Sequence, residues 1–297
     1  MKIDFDSVLK EYAQKTNEYL KECYPNNDGV LDLIFDAEKY SLLSGGKRIR
    51  AYLVFEFCKT FGKSEKEAAP YACAVEMIHA YSLIHDDLPC MDNDDYRRGK
   101  LTNHKVYGEA VAVLAGDALL TRAFETVSAN KNVSAEFNLA AVSILAKAAG
   151  DMGMVGGQIL DIKAEENHEN DLAMLEKIHR LKTGAMIKVS AELGCLAAGI
   201  PQDSPIMADV KAYAEKIGYA FQIIDDILDV VGDSKLLGKN VGSDRENNKL
   251  TFMSFYSIEE ASALAKMLTD EAIEKISGYS NTENLVALAE YLLERKY

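Results

Sequence analysis

Two short acidic segments carry the residue types most able to do chemistry: Asp86-Asp87-Leu88-Pro89-Cys90-Met91-Asp92 and Asp225-Asp226-Ile227-Leu228-Asp229. In the second, Asp225 and Asp229 are four apart, and Asp226 and Asp229 three apart. On a helix both spacings put carboxylates on one face. Like charges repel there unless a cation neutralises them. The neighbours Phe221, Ile223, Ile224, Ile227, Leu228, Val230 and Val231 are apolar, so this is no ordinary solvated face. In the first segment Pro89 restricts the backbone. A turn there brings Asp86 and Asp92 together, which an unbroken helix would not. Carboxylate sets of this kind prefer hard cations; Mg²⁺ takes one or two carboxylates, waters and phosphate oxygens. Calcium competes, but the loop from Asp92 to Gly99 is no EF-hand: Gly falls at its eighth position, and Arg97 and Arg98 oppose a cation.

Basic residues sit close in sequence to these acids. Gly45-Gly46-Lys47-Arg48-Ile49-Arg50 lies where one helix ends and another begins, and Lys47 and Arg50 are spaced to share a face. Arg97-Arg98, Lys182-Thr183-Gly184, Lys239 and Lys249 complete the set. One diphosphate bound through metal and a second bound by bases would use both signs. Gly150, Gly153, Gly156 and Gly157 read as tight helix packing; no strand precedes them to make a dinucleotide fingerprint.

The elements that hold these groups are helical. Apolar residues recur every three or four positions almost throughout. The stripe Leu31, Ile34, Phe35, Leu42 and Leu43 stops at Gly45-Gly46. The stretches 68–87 and 205–231 read as buried helices, the latter with Val210, Tyr213, Ala214, Ile217, Phe221 and Ile224 on its apolar side. No alternating strand signal is present. The expectation is an all-α fold: one large helical bundle domain, residues 1–297, of about ten or more helices. The polar, Gly-containing stretch 232–249 reads as a lid or binding loop.

The formal net charge of -14 argues against nucleic acid as a partner, since no broad basic field is available. Five Cys with no C-x-x-C predict a reduced, cytoplasmic protein with free thiols. No leader is legible in the acidic first residues. No uninterrupted apolar run of about 20 residues is present, so no membrane span is expected.

Taken together, GGKRIR at 45–50, EMIHAYSLIHDDLPCMDNDDYRRG at 76–99, AGDALL at 115–120, GGQILD at 156–161, KTG at 182–184 and FQIIDDILD at 221–229 resemble the short-chain trans-prenyl diphosphate synthases of the farnesyl/geranylgeranyl type. The likeness spans essentially the whole chain and is closest to bacterial-type farnesyl diphosphate synthases. It implies an all-α isoprenoid-synthase bundle with a deep central cavity, expected as a homodimer, that condenses isopentenyl diphosphate with dimethylallyl or geranyl diphosphate. It implies more than one Mg²⁺, bound by Asp86, Asp92 and Asp225 with Asp87 and Asp229 in support. Lys47, Arg50, His79 and Arg98 would hold isopentenyl diphosphate. Arg97, Lys182, Thr183, Gln222, Lys239 and Lys249 would hold the allylic diphosphate, with Lys182 and Thr183 near the developing charge. Tyr81, next to Ser82, lies about one and a half turns below Asp86, where an aromatic ring would stop the chain at farnesyl (C15) length. A geranylgeranyl (C20) product is the alternative. The sequence departs from the family pattern at Ala51, where many relatives have Pro, and at Cys90, where many have Ala.

Readings of other classes make different predictions. A di-iron carboxylate bundle would use Glu76-x-x-His79, Glu176-x-x-His179 or Glu165-x-x-His168. It leaves both Asp segments unexplained. A non-catalytic regulatory subunit of this fold would have lost acids from one segment; here both are intact. A terpene cyclase would not need the second, basic diphosphate site.

Overall fold

The computed structural model describes residues 4–25, 29–167, 171–231 and 250–295. The stretch 232–249, with Lys239 and Lys249, lies outside them, as does His168.

Among the described residues, helices account for nearly all regular structure. The order is α1 (Phe5–Glu22), α2 (Asp32–Leu42), α3 (Ile49–Thr60), α4 (Glu65–Asp86), β1 (Tyr96–Arg97), β2 (Lys100–Leu101), α5 (Asn103–Tyr107), α6 (Glu109–Ser128), α7 (Ala135–Ala149), α8 (Met154–Asn167) and α9 (Leu172–His179). A π-turn (Arg180–Gly184) then leads into α10 (Ala185–Ala197), followed by α11 (Pro205–Val231), a 3₁₀ turn (Phe252–Ser254), α12 (Ile258–Ile276) and α13 (Glu283–Leu293). The long helices begin where the sequence supplies caps. Ser64 and Glu67 form a capping box at α4, and Ser257 and Glu260 form another at α12. The expected helices over 68–87 and 205–231 are α4 and α11.

The main core gathers α1, α3, α4, α10 and α11 around Tyr52, Phe57, Tyr71 and Tyr213, all fully buried. α10 lies so close to α3 that a Cβ at Gly194 would meet Val54 O at 2.6 Å. A second cluster joins α9, α11 and α12 around Phe252, Ile223 and Ile227. α4 packs on α3, α6 and α10, whereas α11 packs on α10, α12 and the π-turn. The two acid-bearing helices therefore share α10 as a common floor.

The sequence reading expects no strand, and here the structure differs. β1 and β2 form an antiparallel ladder, Tyr96 opposite Leu101 and Arg97 opposite Lys100. The turn residues Arg98 and Gly99 both have positive φ, 53° and 75°, the two-residue hairpin geometry that suits a twisted ribbon. Two-residue strands leave no alternation to read, and Arg is atypical at the first turn position.

The glycines at 150–157 also do more than pack. Gly150 and Gly153 break the apolar stretch 135–167 into α7 and α8, while Gly157 meets the π-turn so closely that a Cβ would lie 2.3 Å from Lys182 N.

Candidate active site

The first acidic segment is built on the C-terminus of α4. The helix stops at Asp86, and the chain turns through Pro89 so that Asp92 N–H donates to Asp86 O at 2.8 Å. The turn at Pro89 thus brings Asp92 back to Asp86. Burial lifts the Asp86 carboxyl to about 6, opposed by Lys182 and reinforced by the Asp92 charge. Asp87 faces elsewhere. It is buried, and Arg97 grips its Oδ1 through Nε at 2.7 Å and Nη2 at 2.6 Å. Burial raises the Asp87 carboxyl, and Arg97 opposes that.

The second segment divides in the same way. Asp225 is partly buried, and its Oδ1 lies 3.5 Å from Arg295 Nη2. The Arg295 guanidinium stacks over Phe221 at 4.8 Å. Asp229 is partly buried on the same side, one helical turn on. Asp226 turns into the smaller core, where Oδ2 accepts the Phe252 N–H at 2.8 Å. The shared face expected from the Asp226–Asp229 spacing is therefore not used: Asp226 serves packing, and Asp225 and Asp229 stay partly exposed. Gln222 is buried beside them, without a hydrogen-bond partner among the described residues.

The basic constellation is a strained turn. Gly45, Gly46 and Arg48 have φ of 97°, 116° and 53°. Only Arg50 belongs to α3, so Lys47 and Arg50 do not share a helical face as their spacing predicts. Arg48 is the structural member. Its Nη1 binds Glu76 Oε2 at 2.9 Å and Nη2 binds Asn17 Oδ1 at 2.8 Å. Arg50 has a buried Nε with no partner, and burial lowers its pKa. Lys47 Nζ rests over the Tyr291 ring at 4.9 Å, its pKa lowered by burial and then by Arg295. Arg98, on the hairpin tip, donates to Gly45 O, and a Cβ on Gly46 would lie 3.0 Å from its guanidinium. His79 sits among these cations. Burial, followed by Arg50, Arg98, Arg48 and Arg97, drives its pKa well below the ordinary value. A cluster of Arg48, Arg50, Arg97 and Arg98 around a neutral imidazole, in a protein of net charge -14, is chemically an anion site.

Between the two sits the π-turn. Its widened geometry is typical of functional sites. Lys182 Nζ binds Asp161 Oδ2 of α8 at 2.5 Å and bears electrostatically on Asp86. Thr183 follows, partly buried. Tyr81 is buried below Asp86, its ring edge-on to His85 at 5.7 Å and its phenol pushed to about 12 by burial. Ser82 Oγ donates to His79 O at 3.0 Å.

Sequence reasoning missed Asp161, Arg295 and the Arg48–Glu76 pair as organisers. Asp161 ends the GGQILD run, which was the available signal; nothing local marks Arg295. Ala51 acquires a use as well: its N–H donates to Glu76 Oε1 at 3.2 Å, a bond proline would lack. Among the described residues, Glu76-x-x-His79 and Glu176-x-x-His179 do not converge as di-iron ligands. Glu76 is held by Arg48, and Glu176 accepts from Tyr219 OH at 2.8 Å.

Comparison with known proteins agrees with this geometry. A polyprenyl synthetase model matches residues 32–291. A geranylgeranyl diphosphate synthase of Cyanophora paradoxa is 45% identical over 291 residues, covering 97% of this chain and 96% of that protein. A farnesyl diphosphate synthase of Bacillus subtilis is 45% identical over 275 residues, covering 92% of each. The solved structure of an FPP/GFPP synthase from Zymomonas mobilis superposes with a TM-score of 0.87 at 36% identity, covering 99% of this chain and all of that one. A geranyltransferase from Helicobacter pylori, complexed with magnesium and isoprenyl diphosphate, gives 0.85 at 32% identity over 99% of both chains. With acids at two helix ends, an arginine cluster only partly paired with carboxylates and relatives matched over nearly the full length, the chain belongs to the polyprenyl synthetase family.

Proposed function

We propose that this trans-prenyl synthase condenses isopentenyl diphosphate with dimethylallyl and then geranyl diphosphate to release farnesyl diphosphate. The observation that carries the reading is the pairing of two unlike anion sites: carboxylates at Asp86, Asp92, Asp225 and Asp229, and bare cations at Lys47, Arg50 and Arg98 beside His79. The carboxylates form an all-oxygen donor set of the kind Mg²⁺ takes, and Asp86 is held in an apolar setting at a cost that a cation relieves. Asp86, Asp92 and Asp225 would hold the ions, more than one of them, with Asp229 alongside and Asp87 bracing from behind through Arg97. When bound, magnesium supplies Lewis-acid neutralisation of the departing diphosphate.

The chain's own residues do the remaining work. Lys182 and Thr183, with Arg97, Gln222, Lys239 and Lys249, orient the allylic diphosphate. Its C1–O bond breaks with the electron pair leaving on oxygen. The isopentenyl double bond, held by Lys47, Arg50, His79 and Arg98, attacks C1. The new C–C bond forms and a proton passes to the released diphosphate. The apolar helices keep water from the cation. Arg50→Ala is expected to raise KM for isopentenyl diphosphate roughly 10- to 100-fold, the worth of one charge-assisted bond, while KM for geranyl diphosphate stays within twofold. Steady-state kinetics with each substrate varied checks it.

Tyr81 supports the C15 product: it is buried about 7 Å below Asp86 along α4 and so floors the growing chain. Relatives bear both farnesyl and geranylgeranyl names, so the decisive experiment is product mass after incubation with isopentenyl diphosphate, each allylic starter and Mg²⁺. Tyr81→Ala is expected to shift the main product to C20 or longer. An unchanged product spectrum would reduce Tyr81 to packing.

A homodimer is part of the proposal. Leu114, Leu139, Met152, Val155 and Ile159 on α6, α7, α8 and the turn between the last two are exposed, and the most apolar window within 135–167 is only 28% buried. Light scattering tests it. The five free cysteines support a reducing, cytoplasmic setting.

A further inference from the structure

One cluster is left over from the site. His179 closes α9 immediately before the π-turn that carries Lys182 and Thr183. Its ring lies nearly parallel to Phe252, centroids 5.2 Å apart and planes at 13°. Its Nε2 is buried without a hydrogen-bond partner and stands 3.7 Å from Asp226 Oδ2, the same oxygen that accepts the Phe252 N–H. One turn earlier on α9, Glu176 accepts from Tyr219 of α11, and the Tyr219 ring meets Phe252 edge-on at 5.4 Å. Both members of Glu176-x-x-His179 thus reach α11 or the segment beginning at Leu250. A π-turn is a widened, less regular turn, and its side chains point correctly only if both ends are anchored. The C-terminal end continues into buried α10; the N-terminal end has His179.

We infer that His179 is a positioning residue. Pinned between Phe252 and Asp226, it fixes the entry of the π-turn and so aims Lys182 at the allylic diphosphate. It touches neither substrate nor metal. Nε2 faces Asp226 Oδ2 at 3.7 Å, an ion-pair rather than a hydrogen-bond distance, and this contact with the Phe252 stack ties the entry of the π-turn to the second acidic segment. This rests on the prenyl-transfer reading above. A wild-type protein inactive with every allylic starter would overturn that reading; the comparisons below address the inference alone.

The test is His179→Phe, which keeps the stack on Phe252 and removes the N–H. The expected result is a fall in kcat of roughly 10- to 100-fold, as for displacement of a positioned group by about 1 Å, with KM for isopentenyl diphosphate within twofold. His179→Gln, which restores an N–H donor toward Asp226, is expected to recover most of kcat. In a Lys182→Ala background His179→Phe is expected to cost nothing more, because the residue it acts through is gone. A kcat within twofold of wild type, an equal loss in both backgrounds, or a glutamine variant as slow as the phenylalanine one overturns the inference. If His179→Phe does not fold, Phe252→Leu removes the stack, and the same comparison of the two Lys182 backgrounds decides.

Discussion

Asp86→Asn abolishes prenyl transfer, by about 10³-fold or more, and at the same time makes the metal-free protein more stable. Loss of activity follows from removing a carboxylate of the cation set. The gain follows from the raised carboxyl. Asp86 sits at about 6 in the fold, with burial the leading cause and Asp92 and Asp87 adding repulsion, against 3.8 for the ordinary group. A folded-state value above the unfolded one means that ionisation opposes folding. The penalty is absent below about pH 4, grows as pH rises between the two values and is complete above about pH 6. That difference corresponds to up to about 3 kcal/mol, and Asn, which is never charged, escapes it. Thermal melts in chelator at pH 8 are expected to show the variant several degrees above wild type, and melts near pH 4 to show the two together. A variant less stable than wild type at pH 8 would refute the burial argument. Mg²⁺ should stabilise wild type far more than Asp86→Asn.

Glu76→Ala is expected to have the largest effect on folding of any change near the site. Arg48 and Glu76 are each 3% exposed, and Arg48 adopts a left-handed backbone at the start of α3. Removing the carboxylate strands a buried guanidinium and takes away the acceptor of Ala51 N–H. Breaking such a pair costs about 3–5 kcal/mol, or roughly 5–15 °C in a chain of this size. Scanning fluorimetry measures it. Replacing both partners together, as Arg48→Met with Glu76→Leu, is expected to regain much of the loss, since no charge is left unpaired. Arg50→Ala should leave the melting point unchanged or higher, because Arg50 is a half-buried cation whose Nε has no partner among the described residues. The two arginines play different parts. Arg48 holds the turn, and Arg50 waits for a ligand.

How far the sequence carries depends on the reach of each interaction. The carboxylates were legible because helical spacing acts over three or four residues, and the Pro89 turn because proline acts on its neighbours. The division within the second segment was not. Spacing says that Asp225 and Asp226 diverge by about 100°, yet which one meets Phe252 is decided by packing 26 residues further on. Lys182 was recognisable, but not its bond to Asp161, because the π-turn shifts the register on which a helical reading depends. The basic turn was legible as a helix junction. Its shared face was not, since Arg48 leaves the helical region at the residue between.

The hairpin at 96–101 has a consequence for how this protein can change. Arg97 points back to Asp87, while the next residue, Arg98, crosses to Gly45. Arg97 belongs to the first strand and Arg98 to the left-handed turn after it, so a single peptide unit joins the residue that holds Asp87 to the one that holds Gly45. Substitution here is graded in its effects, but insertion or deletion is not. A single added residue would change the two-residue turn and displace Arg98 from the carbonyl of Gly45. Across descendants of this chain, length should therefore be frozen in these six positions even where side chains drift, making the ribbon a ruler whose gradations vary and whose span does not.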